Sequence, residues 1–262
     1  TSGLLDAKTG DWSFEIIDKL GYPRKIFNKV YKPGEVLGDL TAEIQKEVGF
    51  NTKVVFPSSH DTASAVMAVP AIKGSPLFLS SGTWSLLGIE GPKAISTEDA
   101  LAANFTNEGG YNRSTRFLKN IMGMWLLQNI RRNINKELTY DEMMSLAKTS
   151  TFTEKIDPND NSFLAPENMV EAVRNYLGKP DLPLGDVLSS IYHSLAESYK
   201  KATEEIEEIS GKEIKAIHIV GGGSKDKYLN KLTAEYTGKK VFTGLMEATA
   251  TGNILSQIMS DK

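Results

Sequence analysis

The spacing of apolar residues changes character several times along the chain, and each change predicts an element. Between Asp11 and Leu20, apolar positions recur at helical intervals and stop at Gly21-Tyr22-Pro23, a glycine-then-proline ending. Tyr31-Lys32-Pro33-Gly34-Glu35 predicts a turn, residues 41–48 a helix, and Lys53 to Phe56 a short strand. From Thr62, small residues followed by Val66 and Met67 predict a helix that Asp61 or its neighbour caps and Pro70 ends. Lys73-Gly74-Ser75-Pro76 reads as a connector.

Beyond the connector the pattern shifts to strands. Residues 77–81 and 84–89 predict two, joined through Gly82-Thr83, and residues 113–119 a third. A helix is expected from about Asn120 to Asn135. A long one is expected over 184–209, with Glu204, Glu205, Glu207 and Glu208 on its wet side. Strand 214–220, the run Gly221-Gly222-Gly223-Ser224, helix 226–237, strand 240–243 and a last helix from Glu247 complete the order. Strands first, then strand–helix twice, is an α/β arrangement with a mixed sheet.

Composition narrows the function classes. With 262 residues, 40% of them hydrophobic, the chain can bury a substantial core. A net charge of −3 gives no polyanion-binding or membrane-surface signature, and no apolar run is long enough to span a bilayer. The absence of cysteine excludes disulfides, zinc thiolates and thiol nucleophiles, and fits a reducing, cytoplasmic location. The chain opens on Thr1 rather than Met and reads as the interior of a longer protein.

Four segments carry candidate chemistry. Asp61 ends an apolar stretch, where a carboxylate can act as a base toward an alcohol, and His60 beside it can hydrogen-bond a hydroxyl. On spacing alone, a cap of the following helix accounts for Asp61 better. Ser80-Ser81-Gly82-Thr83 can bring backbone N–H groups and a hydroxyl to a phosphate, although from this segment alone an ordinary hairpin turn is the better account. Gly221-Gly222-Gly223-Ser224 lies after a strand and before a helix, where nucleotides bind in open α/β sheets. It is neither a Rossmann nor a Walker fingerprint, and a ligand close to the backbone explains three glycines better than a tight turn does. The acid-free stretch Gly109 to Lys136 carries Arg113, Arg116, Lys119, Arg131 and Arg132, which beside a phosphate loop would favour an anion. For Arg131 and Arg132 a solvated helix face is the simpler account. Asn120, Met124 and Gln128 would share one side of the predicted helix, while His193 and His218 read as structural.

Taken in order, Ser59-His60-Asp61-Thr62-Ala63-Ser64, Leu79-Ser80-Ser81-Gly82-Thr83-Trp84-Ser85, Asn107-Glu108-Gly109-Gly110, Leu118-Lys119-Asn120-Ile121-Met122-Gly123 and His218-Ile219-Val220-Gly221-Gly222-Gly223 resemble the FGGY carbohydrate kinases. Within that family the wording is closest to the rhamnulokinase branch. The likeness extends from the opening Leu4-Leu5-Asp6-Ala7-Lys8-Thr9-Gly10-Asp11-Trp12 to Glu247-Ala248-Thr249-Ala250-Thr251-Gly252-Asn253. It implies an actin-like ATPase lobe of ribonuclease-H type, with a mixed sheet flanked by helices. Residues 1–70 would be the tail of a first, sugar-binding lobe, and 71–262 an incomplete second, ATP-binding lobe.

The resemblance further implies transfer of the γ-phosphate of ATP to the primary hydroxyl of a ketose, L-rhamnulose first. Asp61 would be the proton acceptor. His60, Asp61, Thr62 and Asn120 would touch sugar; Thr83, Gln128 and Gly222, with Gly82, Gly221 and Gly223, would touch ATP. Mg²⁺ would bridge the phosphates, with no protein ligand named. Xylulose, fuculose or gluconate as substrate, or a binding module without transfer activity, are the alternatives. Because such kinases have an amino-terminal half absent from these residues, the 262 residues alone are expected to be inactive, with the missing lobe as their partner.

Overall fold

The computed structural model describes residues 2–69 and 77–260. The expected stop at Pro70 and the connector at 73–76 lie outside them. At the amino end, β1 (Leu5–Asp6) pairs antiparallel with β2 (Asp11–Trp12), and α1 (Phe14–Lys19) follows. The helix starts later than its spacing predicts, because Asp11 and Trp12 are taken up by the ladder. There the indole N–H of Trp12 donates to the Asn28 carbonyl at 2.6 Å. Strands β3 (Val36–Asp39) and β4 (Lys53–Val55) form a second two-stranded ladder around α2 (Ala42–Val48). That helix has both ends signalled locally: Thr41 accepts from the Ile44 N–H, and Gly49 closes it at φ +84°.

Helix α3 (Asp61–Met67) begins one residue earlier than expected. His60 holds the capping position without a side-chain cap bond, and Asp61 is the first helical residue. The capping role expected for Asp61 is therefore not realised; its neighbour takes the position.

There follow β5 (Leu77–Ser81), β6 (Trp84–Gly91), α4 (Glu98–Ala102), β7 (Thr106–Gly109), β8 (Thr115–Met122), α5 (Trp125–Asn133), α6 (Tyr140–Thr149) and α7 (Met169–Leu177). Then come α8 (Leu184–Ser210), β9 (Ala216–Val220), α9 (Lys227–Thr237), β10 (Lys240–Thr243) and α10 (Ala248–Ser260). The large sheet has the order β10-β9-β5-β6-β8-β7. Strand β5 is antiparallel to β6 but parallel to β9, and β10 is parallel to β9, so the sheet is mixed as expected.

One expectation is overturned here. Asn120 is not helical: it sits on β8, which runs to Met122, and α5 begins only at Trp125. The strand wins because Phe117, Leu118, Ile121 and Met122 are buried in the sheet. Gly123 then ends it at a point where a Cβ would stand 2.6 Å from Ser85 Oγ. Asn120 and Gln128 thus share no helix face.

The described residues fall into two compact units. The first gathers those within Thr1–Pro70, Glu90–Leu118 and Glu247–Lys262; the second, those within Ala71–Ile89 and Lys119–Met246. In the second, α8 buries Val187, Leu188, Ile191, Leu195 and Ala196 at helical spacing over a core that includes Leu77, Leu79, Ile217 and Ile219. Glu205 and Glu207 depart from the wet-side expectation. Glu205 pairs with Lys119, and Glu207 accepts from Lys239 and from the Ile214 N–H.

In the first unit, α3 meets α10 at very short range. A Cβ on Gly252 would fall 1.7 Å from the Ser64 carbonyl oxygen, so only glycine fits there. The Thr249 hydroxyl donates to the carbonyl of Asp61 at 3.2 Å.

Candidate active site

In the second unit the expected nucleotide segments come together at one end of the sheet. Ser80 of β5 is in register with Val220 of β9, so the turns after both strands leave from the same carboxyl edge. The hairpin tip is held from beneath. Gly123, Met124 and Trp125 donate their N–H groups to the carbonyls of Thr83, Gly82 and Thr83 at 3.2, 3.0 and 3.1 Å. Thr83 is exposed, and its hydroxyl donates to Gln128 Oε1 at 3.3 Å. Hairpin and α5 are thereby one construction, and Gln128 joins Thr83 through it.

The glycine run divides into two kinds. Gly221, at φ +85°, would place a Cβ 2.8 Å from the Ser81 carbonyl oxygen, and Gly223 would place one 2.0 Å from Ser81 Oγ. Close packing on Ser81 requires both. Gly222 is exposed, with no described atom within 4 Å of where its Cβ would be, so the fold does not explain its bareness. Beyond it, the Ser224 hydroxyl donates to the Gly221 carbonyl, and Asp226 caps α9 by accepting from Tyr228 and Leu229. The second oxygen of Asp226 accepts from the buried Tyr192 hydroxyl at 2.6 Å; burial, then this carboxylate, push that phenol up. Below the hairpin, Ser85 Oγ and Tyr199 Oη lie 2.7 Å apart, and burial pushes Tyr199 up to about 12. A cleft of about 420 Å³ opens beside Ser224, lined also by Lys225, Lys227, Lys231, Val241 and Thr243.

In the first unit, His60 and Asp61 are exposed and Thr62 is buried at the start of α3. His60 is held by an acid that the sequence reading left without a role. Its Nδ1 is 3.1 Å from Oε2 of Glu108, and the same oxygen is 3.0 Å from Nη2 of Arg116. Arg116 is 1% exposed and also donates twice to the Gly109 carbonyl. Burial lowers its pKa, against the opposing charges of Glu108 and Glu90. The missed signal is a register one: Glu108 on β7 stands directly opposite Arg116 on β8, an opposite-charge cross-strand pair.

The basic stretch is mostly consumed internally. Arg116 and Lys119 are paired as described; Arg131 donates to the Leu138 carbonyl, and Arg132 lies over the Trp125 ring. His193 Nδ1 is 2.6 Å from the Tyr236 hydroxyl, and His218 stacks on Phe242, so both histidines sit in packing roles. Burial lowers the pKa of each. Among the described residues no three His, Asp or Glu side chains converge as metal ligands, and no helix is long and apolar enough to cross a membrane.

The rhamnulokinase of Halalkalibacterium halodurans is 44% identical over 99% of this chain and 56% of its own length. That of Bacillus subtilis is 38% identical over 100% and 55%. The chain thus spans a little over half the length of these curated relatives. Among solved structures, the ligand-bound xylulose kinase from Lactobacillus acidophilus superposes with a TM-score of 0.72 at 17% identity, covering 99% of this chain and 54% of that one. Plasmodium falciparum glycerol kinase with ADP gives 0.70 at 14%, covering 99% and 53%. Models of the N-terminal and C-terminal domains of the FGGY family of carbohydrate kinases match residues 1–68 and 77–260, and the chain belongs to that family.

Proposed function

We propose that the intact protein carrying this chain is an ATP-dependent ketose kinase whose acceptor is L-rhamnulose. The observation that carries this reading is the 38–44% identity to rhamnulokinases over 99–100% of the chain. In this reading the ketose primary hydroxyl attacks the γ-phosphorus as the bond to the ADP oxygen breaks. The hydroxyl proton passes to the Asp61 carboxylate, leaving the sugar 1-phosphate and ADP. Asp61 suits the task because its carboxylate is exposed and His60 takes the cap position. His60, Thr62 and Asn120 are assigned to the sugar.

The Gly82-Thr83 tip, Gln128 and Gly222 are assigned to ATP, with Gly221 and Gly223 shaping the turn. The open space over Gly222 is what a phosphate chain or ribose approaching the backbone needs. Magnesium, when bound, neutralises charge on the phosphates. It keeps several waters and needs few protein ligands, and among the described residues no three His, Asp or Glu side chains converge to hold it. The 262 residues alone are proposed to be inactive, the rest of the amino-terminal family domain being required.

A coupled ADP-release assay on the intact protein, run over L-rhamnulose, xylulose, fuculose and gluconate, tests the substrate; a preference for any of the other three overturns it. Asp61→Asn in the same protein should retain ketose binding while turnover falls about 10²–10⁴-fold. Unchanged turnover would remove Asp61 as the base.

A further inference from the structure

Beside the helix that carries Asp61 lies a polar network whose parts are all in the first unit. Glu108 Oε2 is shared between Arg116 Nη2 at 3.0 Å and His60 Nδ1 at 3.1 Å. Arg116 can only donate, and it is locked: its Nε and Nη2 reach the Gly109 carbonyl, and its side chain is almost wholly enclosed. Glu90 faces it from the adjoining strand and accepts from the Ser114 hydroxyl. Gly110 is part of the enclosure, since a Cβ there would strike Ser114 Oγ and Glu90 Oε1. The carboxylate of Glu108 is therefore fixed in place by a buried cation, whereas the His60 side chain is half exposed and its ring is oriented through this bond.

An ionised carboxylate oxygen that already accepts from arginine has no proton to offer. A ring nitrogen bonded to it must itself be the donor. We propose that Glu108 is a positioning residue that holds His60 in the Nδ1–H form, leaving Nε2 as a hydrogen-bond acceptor for a ketose hydroxyl next to Asp61. The inference rests on the ketose-kinase reading of His60 and Asp61, and adds to it a direction: His60 receives a hydroxyl proton from the sugar in a hydrogen bond rather than giving one. An acceptor at His60 and an acceptor at Asp61 together select a substrate that presents two adjacent hydroxyl donors, and discriminate against a deoxy analogue at either carbon.

The test is side-chain ¹⁵N NMR of histidine-labelled intact protein, with the His60 signal identified as the one lost in His60→Gln. The expected result is a protonated Nδ1 and an unprotonated Nε2 in the unmodified protein; a proton on Nε2 overturns the proposal. In Glu108→Gln, Arg116 retains the amide oxygen and the amide NH₂ faces Nδ1, which should reverse the tautomer. The ketose KM should rise about tenfold while the ATP KM is unaltered, the loss of one hydrogen bond between neutral groups. An unchanged tautomer with an unchanged ketose KM also overturns it. Should Glu108→Gln fail to fold, the tautomer of the unmodified protein still decides. That readout needs no turnover, so its failure is separate from failure of the kinase reading, which would show as no phosphorylation of any ketose by the unmodified protein.

Discussion

Residues 2–58 and helix α8 follow opposite rules of assembly. In the former, only Ile17 and Ser58 are buried, although Leu20, Ile26, Val36, Leu37, Ile44, Val48 and Phe50 are all large and apolar and all exposed. The elements there are held by short-range devices: the Thr41 cap, the Asp39–Lys53 pair, the Trp12 bond to Asn28, and the stacking of Tyr31 on Phe56. Helix α8 makes no side-chain cap bond at its amino end, and it is secured by a dry face running from Val187 to Ile206. Local signals are enough to shape a segment, but burial is what stabilises one, at roughly 25 cal/mol per Å² of apolar surface removed from water. The amino-terminal segment has the pattern and the short-range devices without that burial.

The contrast can be broken by substitution. The largest effect is expected at Leu195, fully enclosed on α8. Leu195→Ala should cost about 2–5 kcal/mol in urea unfolding of these residues. A cost below 1 kcal/mol would mean that α8 is not the stabilising element.

Alkali should act next. Tyr199 is raised from 10.0 to about 12, so above pH 10 the unfolded chain ionises before the folded one. This contribution is complete below pH 10 and is lost as pH rises to about 12, at about 1.4 kcal/mol per pH unit. Buried Tyr192 is raised as well and adds to the fall. Urea melts on both sides of pH 10 should therefore show a combined slope, which Tyr199→Phe lowers by about 1.4 kcal/mol per pH unit. The smallest effect belongs to the other region: Leu37→Ala on β3, 57% exposed, should change stability by less than about 0.5 kcal/mol. If it costs as much as Leu195→Ala, the two regions do not differ in kind.

Where the signal was local, reading the sequence was enough. The boundaries of α2, α9 and β10 follow from Thr41, Gly49, Asp226 and Gly238, all visible as caps and stops. The long α8 follows from its apolar period. The failures have a common physical cause, namely that register and packing override local pattern. Asn120 has neighbours suited to a helix, yet its segment is buried as a strand. Two of the three glycines at 221–223 are required by packing on Ser81, more than a hundred residues away in the chain, which no local pattern shows. Glu108 had no role on spacing because its partners, Arg116 and His60, become neighbours only through the pairing of β7 with β8 and the placement of α3.

The contact of Gly252 with Ser64 has a temporal consequence. Thr249 and Asp61, joined by a hydrogen bond, are 188 positions apart, so the helix carrying Asp61 acquires its packing partner only once α10 has left the ribosome. Most of the second unit, ending at Met246, is synthesised before that moment and can fold first. Helix α10, made after the second unit, is thus the element that secures the helix carrying Asp61. A chain that stops short of α10 would have the second unit in place while its Asp61 helix still lacked support.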